Sequence, residues 1–505
     1  MSIEPQTATH VSEPSQATAP LEFLEKSRTA FPLWAALSVE ERLVYLRKLR
    51  LYMVQHLDEV SAAIATGTGK VLVEALNTDV LPVLEAIRHI EKHARHSLAP
   101  QKVGTPILLI GKKSYVTYQP RGVVLVISPW NFPLQLPMIP MLAALAAGNT
   151  VILKPSEVTP TVGQLIEELF HKVGFPKDVV QVAHGTGEMG AGLIEGRPDY
   201  IFFTGSGRTG RIIQQAAAKH LIPTTLELGG KDPMIVFRDA PMERAVQAAL
   251  WGGLMNSGQV CMSVERVFVE RPVYDEFLRR LVSEVTKLRL GTNENDDIGQ
   301  MTFPTQVDIV RRHVEEALMK GAKMLVGTRP SEWPEGTMTI APIVLTDVTP
   351  DMLIMREETF GPVLPIVPFD TEDEAVRAAN STVYGLSASV WTSDVERGRR
   401  VAGRLVTGNV LVNDVVITIV NQNLPFGGAK ESGVGRYHGP EGLRMFTVHT
   451  ATMVDGGRRA RDVNWFPYEG KYPLFAELLK AYCGPNRQWG RFVRAYLRLL
   501  RLSRK

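Results

Sequence analysis

The sequence predicts an α/β protein built on parallel sheets. From about residue 122 onward, short β-rich runs alternate with amphipathic helical stretches, and helices of that length return each strand parallel to the last. The composition agrees: 505 residues with 45% hydrophobic and 22% charged side chains is ordinary for a globular chain and excludes a largely disordered or polytopic membrane protein. The longest apolar stretch, Leu134 to Ala147, is interrupted by Gln135, Pro137 and Pro140, and falls short of the roughly 20 residues that span a bilayer.

Taken in order, residues 1–20 are rich in Ser, Thr, Pro and Gln and lack a basic start followed by an apolar core. They read as a disordered leader, not a signal peptide, which keeps the protein in the cytoplasm. Leu21 to Ala99 is helical, with apolar residues three and four apart as in Val39 to Leu57. Ile107–Ile110 and Ser114–Tyr118, joined through Gly111-Lys112-Lys113, read as a hairpin, and Gly122–Ile127 as a strand. An Ala/Leu-rich helix follows Pro137. Then come strand Thr150–Leu153, helix Thr161–Val173 and strands Val179–Ala183 and Tyr200–Phe203, with a second alternating series from Pro233 to about Val420.

Charge is unevenly distributed. Residues 456–505 hold twelve lysines and arginines against three acidic residues, a net of +9, which leaves −6 on the other 455 of a +3 chain. A mildly acidic body argues against nucleic acid as the partner. Arg491, Arg494, Arg498 and Arg501 are spaced 3, 4 and 3 apart in a basic amphipathic helix, which suits either a peripheral contact with an anionic membrane or packing on a partner subunit.

Several residues could carry chemistry. The two cysteines, Cys261 and Cys483, are too few for a disulfide framework. Cys261 follows Asn256-Ser257-Gly258-Gln259-Val260, a poor core sequence that reads as a polar, flexible approach to a reactive thiol; a small buried cysteine is the alternative. Glu227 ends an apolar strand before Gly229-Gly230, where partial desolvation would tune it as a general base unless it simply pairs with Lys231. Asn131 sits between Pro129 and Pro133, a stiff turn that suits either an oxyanion donor or plain turn chemistry. Gly205-Ser206-Gly207-Arg208-Thr209-Gly210, between a strand and a helix, fits a phosphate-binding turn or an empty one, with Arg208 a phosphate ligand or an exposed charge. Lys154 and Glu157 leave a strand end where ribose could be held; Glu157 would oppose a 2′-phosphate. No metal site is expected.

Together these segments resemble the aldehyde dehydrogenase superfamily over residues 25–455. The resemblance rests on PWNFP at 129–133, AAGNTVILKPSE at 146–157, FFTGSGRTG at 202–210, LELGGKDP at 226–233, NSGQVC at 256–261, EETFGPVLP at 357–365 and LPFGGAKESGVGRYHG at 424–439. AAAKHLIPTTLELGGK and VLVNDVVITIVNQNLPFGG look most like its class 3 and fatty aldehyde branch. The resemblance implies a Rossmann-like NAD(P)-binding domain at 21–101 and 121–229, an α/β catalytic domain at 230–427 and a small β oligomerisation flap at 102–120 and 428–455. The basic extension, 456–505, lies outside.

It also implies that Cys261 is the nucleophile, Asn131 with the Cys261 amide the oxyanion hole, and Glu227 the base. The cofactor, NAD with NADP as an alternative, would be held by Ser128, Pro129, Trp130, Lys154, Ser156, Glu157, Gly205, Ser206, Gly210, Leu228, Glu358 and Phe360. Asn413 and Leu424 to Phe426 would approach the substrate. The expected reaction is oxidation of a medium or long aliphatic or aromatic aldehyde by a homo-oligomer, dimer or tetramer. The alternatives are a succinate semialdehyde type or a coenzyme A-acylating enzyme, and Glu227 at a water-activating position favours hydrolysis over acylation.

Overall fold

The computed structural model describes residues 19–504; the expected leader, apart from its last two residues, lies outside them. The chain forms two compact units, one of residues up to Ala99 with Tyr118–His449, the other of Pro100–Thr117 with the segment from Thr450 onward.

The larger unit contains two sheets. In the first, the strand order is Gly433–Val434, Thr224–Glu227, Tyr200–Thr204, Val123–Ile127, Thr150–Lys154, Val180–Val182. All neighbours are parallel except Gly433–Val434, which runs antiparallel to Thr224–Glu227. Near-continuous Val, Ile, Leu and Phe in these strands reflects burial on both faces. The helix Gln135–Ala146 packs on strands Val123–Ile127 and Thr150–Lys154 with all its residues buried, so the interrupted apolar stretch is a core helix.

The second sheet has seven strands in the order Lys323–Val326, Ile343–Thr346, Val363–Phe369, Val264–Glu270, Asp232–Val236, Ser387–Trp391, Asn409–Val412. Only its first pair is antiparallel. The expectation of parallel sheets therefore holds, with one antiparallel edge strand on each.

The smaller unit corrects the expected hairpin. Ile107–Leu109 is a single 3₁₀ turn, and the strand that pairs with Lys112–Pro120 is Gln101–Val103, with Lys102 opposite Tyr115. Ile-Leu-Leu-Ile has strand composition, but all four side chains are at least partly exposed, and Pro106 begins a turn closed by Leu109 N–H donating to its carbonyl. Of the expected flap segment 428–455, residues 428–449 belong to the larger unit and only the part from Thr450 joins the smaller. The extension forms two helices packed on each other, Lys471–Cys483 and Trp489–Arg504, around Leu478, Ala481, Phe492, Ala495 and Leu499. Sequence periodicity showed only the second.

Candidate active site

Parallel strands present their C-terminal ends to one edge, where ligands of such sheets bind. In the first sheet the register places Glu227 beside Thr204, Phe203 beside Ile127 and Ile127 beside Lys154. The loops leaving that edge therefore carry, side by side, Glu227-Leu228-Gly229, Gly205-Ser206, Ser128 to Asn131 and Lys154 to Glu157.

A crevice of about 220 Å³ opens there, lined by Pro129, Trp130, Asn131, Gly205, Ser206, Glu227, Leu228, Cys261, Glu358 and Phe360 from the expected set. Leu136, Thr204, Gly229, Gln306 and Ile309 also line it and were not singled out. Gln306 donates to Thr359 O at 2.7 Å from a distant helix, so no local motif marks it. Ser128, Lys154, Ser156, Glu157 and Gly210 stand outside this crevice. Ser128 N–H donates to Lys154 O, Lys154 Nζ donates to Glu157 at 2.6 Å, and Gly210 packs under Leu228, where a Cβ would come within 2.6 Å of it. Arg208 is exposed.

Cys261 lies in a loop between a 3₁₀ turn, Met255–Gly258, and strand Val264–Glu270. The expected polar, flexible approach is corrected: Asn256, Ser257 and Gln259 are buried and cross-bonded. Asn256 Nδ2 donates to Asn131 O and Gln259 O, Gln259 Nε2 donates to Asn256 O, and Ser257 Oγ donates to Gly299 O. Three successive left-handed residues, Asn256, Ser257 and Gly258, make this turn. Polar side chains here bond the loop's own backbone and the carbonyls of Asn131 and Gly299.

Asn131 is tied to the same loop, its Nδ2 donating to Gln259 O at 3.0 Å. An amide has two N–H groups, so one positions the side chain and the other remains for a ligand. Behind it, Lys70 Nζ donates to Asn131 O at 2.9 Å and to Asp79 at 2.7 Å, and Asp79 accepts from Leu134 and Gln135 N–H.

Glu227 is buried with neither carboxylate oxygen bonded among the described residues. Burial holds its pKa well above the usual carboxylate value, only partly offset by Arg436. The pairing with Lys231 does not occur, because Lys231 Nζ donates to Glu265 at 2.5 Å and to Thr359. Glu265 in turn accepts the N–H groups of Thr359 and Phe360, fixing the loop that carries Glu358. Glu358 accepts from Gly230 N–H, and burial together with Glu265 pushes it up to about 8. The half-buried Cys261 thiol is also pushed up, first by burial and then by Glu358, Asp232 and Glu227.

A second cavity, of about 100 Å³, meets Cys261 as well. It is lined by Phe132, Leu136, Trp251, Met255, Val260, Met262, Val416, Ile417, Ile419 and Val420, with Asn77, Thr78, Pro82 and Gln135, and no charged side chain. Asn413 and Leu424 to Phe426 do not line it. Asn413 is exchanged into hydrogen bonds with Thr392, and Phe426 is buried in a backbone bridge to Tyr437. The left-handed Val416 turns residues 417–420 into the cavity wall instead.

The aldehyde dehydrogenase family model matches residues 1–452. The chain belongs to the aldehyde dehydrogenase family. It is 45% identical over 449 residues to 4,4'-diapolycopene aldehyde oxidase of Methylomonas sp, covering 88% of this chain and 83% of that one. It is 37% identical over 427 residues to a Mycobacterium tuberculosis protein provisionally named succinate-semialdehyde dehydrogenase [NADP(+)] 2, covering 84% and 82%. Among solved structures it resembles the NAD+ complex of aldehyde dehydrogenase from Bacillus cereus with a TM-score of 0.81 at 34% identity, covering 86% and 88% of the two chains. This aldehyde dehydrogenase is an oxidoreductase acting on aldehydes with NAD(P) as cofactor. The crevice suits that group: it lies at the C-terminal edge of a parallel sheet, at a helix N-terminus capped by Ser206, and glycine at 229 keeps clear the space beside Glu358, whose Oε2 would lie 2.2 Å from a Cβ there.

Proposed function

We propose that this aldehyde dehydrogenase oxidises an apolar aldehyde, medium or long aliphatic or aromatic, to its carboxylate, with Cys261, Asn131 and Glu227 performing the chemistry. One observation carries the substrate assignment. The cavity reaching Cys261 from outside the cofactor crevice has apolar walls, and Trp251, Ile417 and Val420 remain partly exposed at its rim. Burying apolar surface there contributes about 25 cal/mol per Å², whereas a second carboxylate would be desolvated without a cation. The name of the diapolycopene aldehyde relative and the resemblance to the fatty aldehyde branch support this reading over succinate semialdehyde.

Glu227 takes the thiol proton of Cys261, and the sulfur adds to the carbonyl carbon. The free N–H of Asn131 Nδ2 and the Cys261 backbone N–H receive the alkoxide. Trp130, Ser206, Leu228, Glu358 and Phe360 would hold the cofactor in the crevice, and Lys154 and Glu157 would bind its ribose. When bound, NAD(P) supplies the hydride acceptor. With hydride gone from the former aldehyde carbon, Cys261 carries the acyl group as a thioester. Glu227, once it has passed that thiol proton to solvent, deprotonates water, which attacks the acyl carbon. The C–S bond breaks, Glu227 returns the proton to the sulfur, and the acid leaves as its carboxylate with its own proton going to solvent.

Reduced cofactor formation across a series from acetaldehyde to long-chain and aromatic aldehydes, with succinate semialdehyde included, tests the assignment. kcat/KM rises with chain length and is lowest for succinate semialdehyde; the reverse order overturns it. Cys261→Ala abolishes turnover, and Asn131→Ala lowers kcat by about 10²–10³. Adding coenzyme A leaves the rate unchanged. Exposed Ile107, Leu108, Ile110, Met453 and Val454 in the smaller unit support a homo-oligomer, dimer or tetramer, read out by light scattering.

A further inference from the structure

The last helix, Trp489–Arg504, divides lengthwise into three sectors. Phe492, Ala495 and Leu499 are buried against the preceding helix, Lys471–Cys483. At 100° per residue, Trp489, Val493 and Leu497 form a separate row, four residues apart, and they are 46%, 48% and 50% exposed. Next to that row lie Arg494, Arg498 and Arg501, all exposed and in no ion pair among the described residues. The helix contains no acidic residue.

A helix that needs only to pack on its neighbour has no use for a second apolar row, and one that needs only solubility would mix its charges. Unlike a nucleic-acid-tracking helix, whose contacts are mainly to phosphates, this one exposes Trp and aliphatic side chains beside its arginines. Exposed Trp and Leu alongside an unbroken cationic row is the surface that matches a lipid interface, where apolar side chains enter between headgroups and guanidinium groups meet their phosphates. Trp465, Phe466 and Tyr468, in the loop before the first of the two helices, are exposed as well, and rings of this kind favour the headgroup region. No helix among the described residues is long and apolar enough to cross a membrane.

We propose that the helical pair of the extension docks on the surface of an anionic bilayer, Trp489, Val493 and Leu497 entering the interface and Arg494, Arg498 and Arg501 binding lipid phosphate. The contact is peripheral and reversible. It stands independently of the substrate assignment.

The full-length protein is sedimented with vesicles of phosphatidylcholine alone and of phosphatidylcholine with phosphatidylglycerol. Binding is expected only with the anionic vesicles and falls as salt rises. R494Q/R498Q/R501Q weakens it roughly a hundredfold, and W489S/V493S/L497S at least about tenfold. Melting temperature and turnover of a short water-soluble aldehyde stay unchanged in both variants, which separates loss of docking from loss of folding or chemistry. Equal binding to neutral vesicles, absence of binding, insensitivity to both triple substitutions, or displacement from vesicles by an RNA oligonucleotide at equal charge overturns the proposal. The wild-type comparison of the two vesicles against salt decides it even where a variant does not fold.

Discussion

Glu227 is a buried carboxylate with no hydrogen-bond partner among the described residues, a state that costs stability and is retained where chemistry uses it. Its folded pKa lies well above the ordinary 4.5, so the cost is absent below that value and grows as pH rises from there toward the folded pKa. Glu227→Gln therefore raises the melting temperature by a few degrees at about pH 8 and leaves it unchanged near pH 4.5. The same variant slows turnover by about 10²–10⁴ with no burst of reduced cofactor, because thiol activation and deacylation have both lost their base. Activity of the wild type climbs from neutral to alkaline pH, since Cys261 and Glu227 both titrate above their usual ranges. That Cys261, Asn131 and Glu227 line one crevice was anticipated from the sequence because each lies in a contiguous motif. The partner of Lys231 was not: Glu265, 34 residues on, reaches it only after two adjacent strands, Asp232–Val236 and Val264–Glu270, have paired.

At the scale of elements, the strands of the two parallel sheets were read correctly, whereas the Ile107–Ile110 strand and the loop before Cys261 were misread. Strand assignments followed from composition, whereas the Asn256–Gln259 run has a polar composition suited to solvent and is buried because its side chains bond to its own backbone and to Asn131. Gly258 is the tightest point of that turn. Its φ is +73° and a Cβ would fall 2.1 Å from Gly361 O, so Gly258→Ala displaces the thiol loop and lowers stability by about 2 kcal/mol or more, measured by denaturant unfolding. Asn413 and Leu424 to Phe426 were expected to approach the substrate, yet Ile417, Ile419 and Val420 form the wall of the apolar cavity, where Val416 with its positive φ turns the chain. At its rim Ile417→Arg supplies the cation the cavity lacks. It raises kcat/KM for succinate semialdehyde relative to a long-chain aldehyde by about tenfold, as one new charged hydrogen bond allows.

For the whole molecule, alternation of strands and helices was enough to anticipate two parallel sheets, but not which segments form each compact unit. That partition depends on contacts between residues far apart in sequence: Lys112 bonds Asp455 and Asp462, about 350 positions away. The family model ends at residue 452, and the helical pair beyond it has its own small apolar core. Truncation after Asp455 is therefore expected to preserve the kcat/KM for a water-soluble aldehyde within about twofold, a range set by additivity of distant sites. The apolar cavity has one further consequence, for product release. On the proposed substrate assignment, oxidation converts a neutral group into an anion while the tail would still lie among Phe132, Val260, Met262 and Ile419. On that assignment the walls offer the new carboxylate no cation, turnover would favour release of its product, and the acid is expected to inhibit only at concentrations far above the KM of its aldehyde.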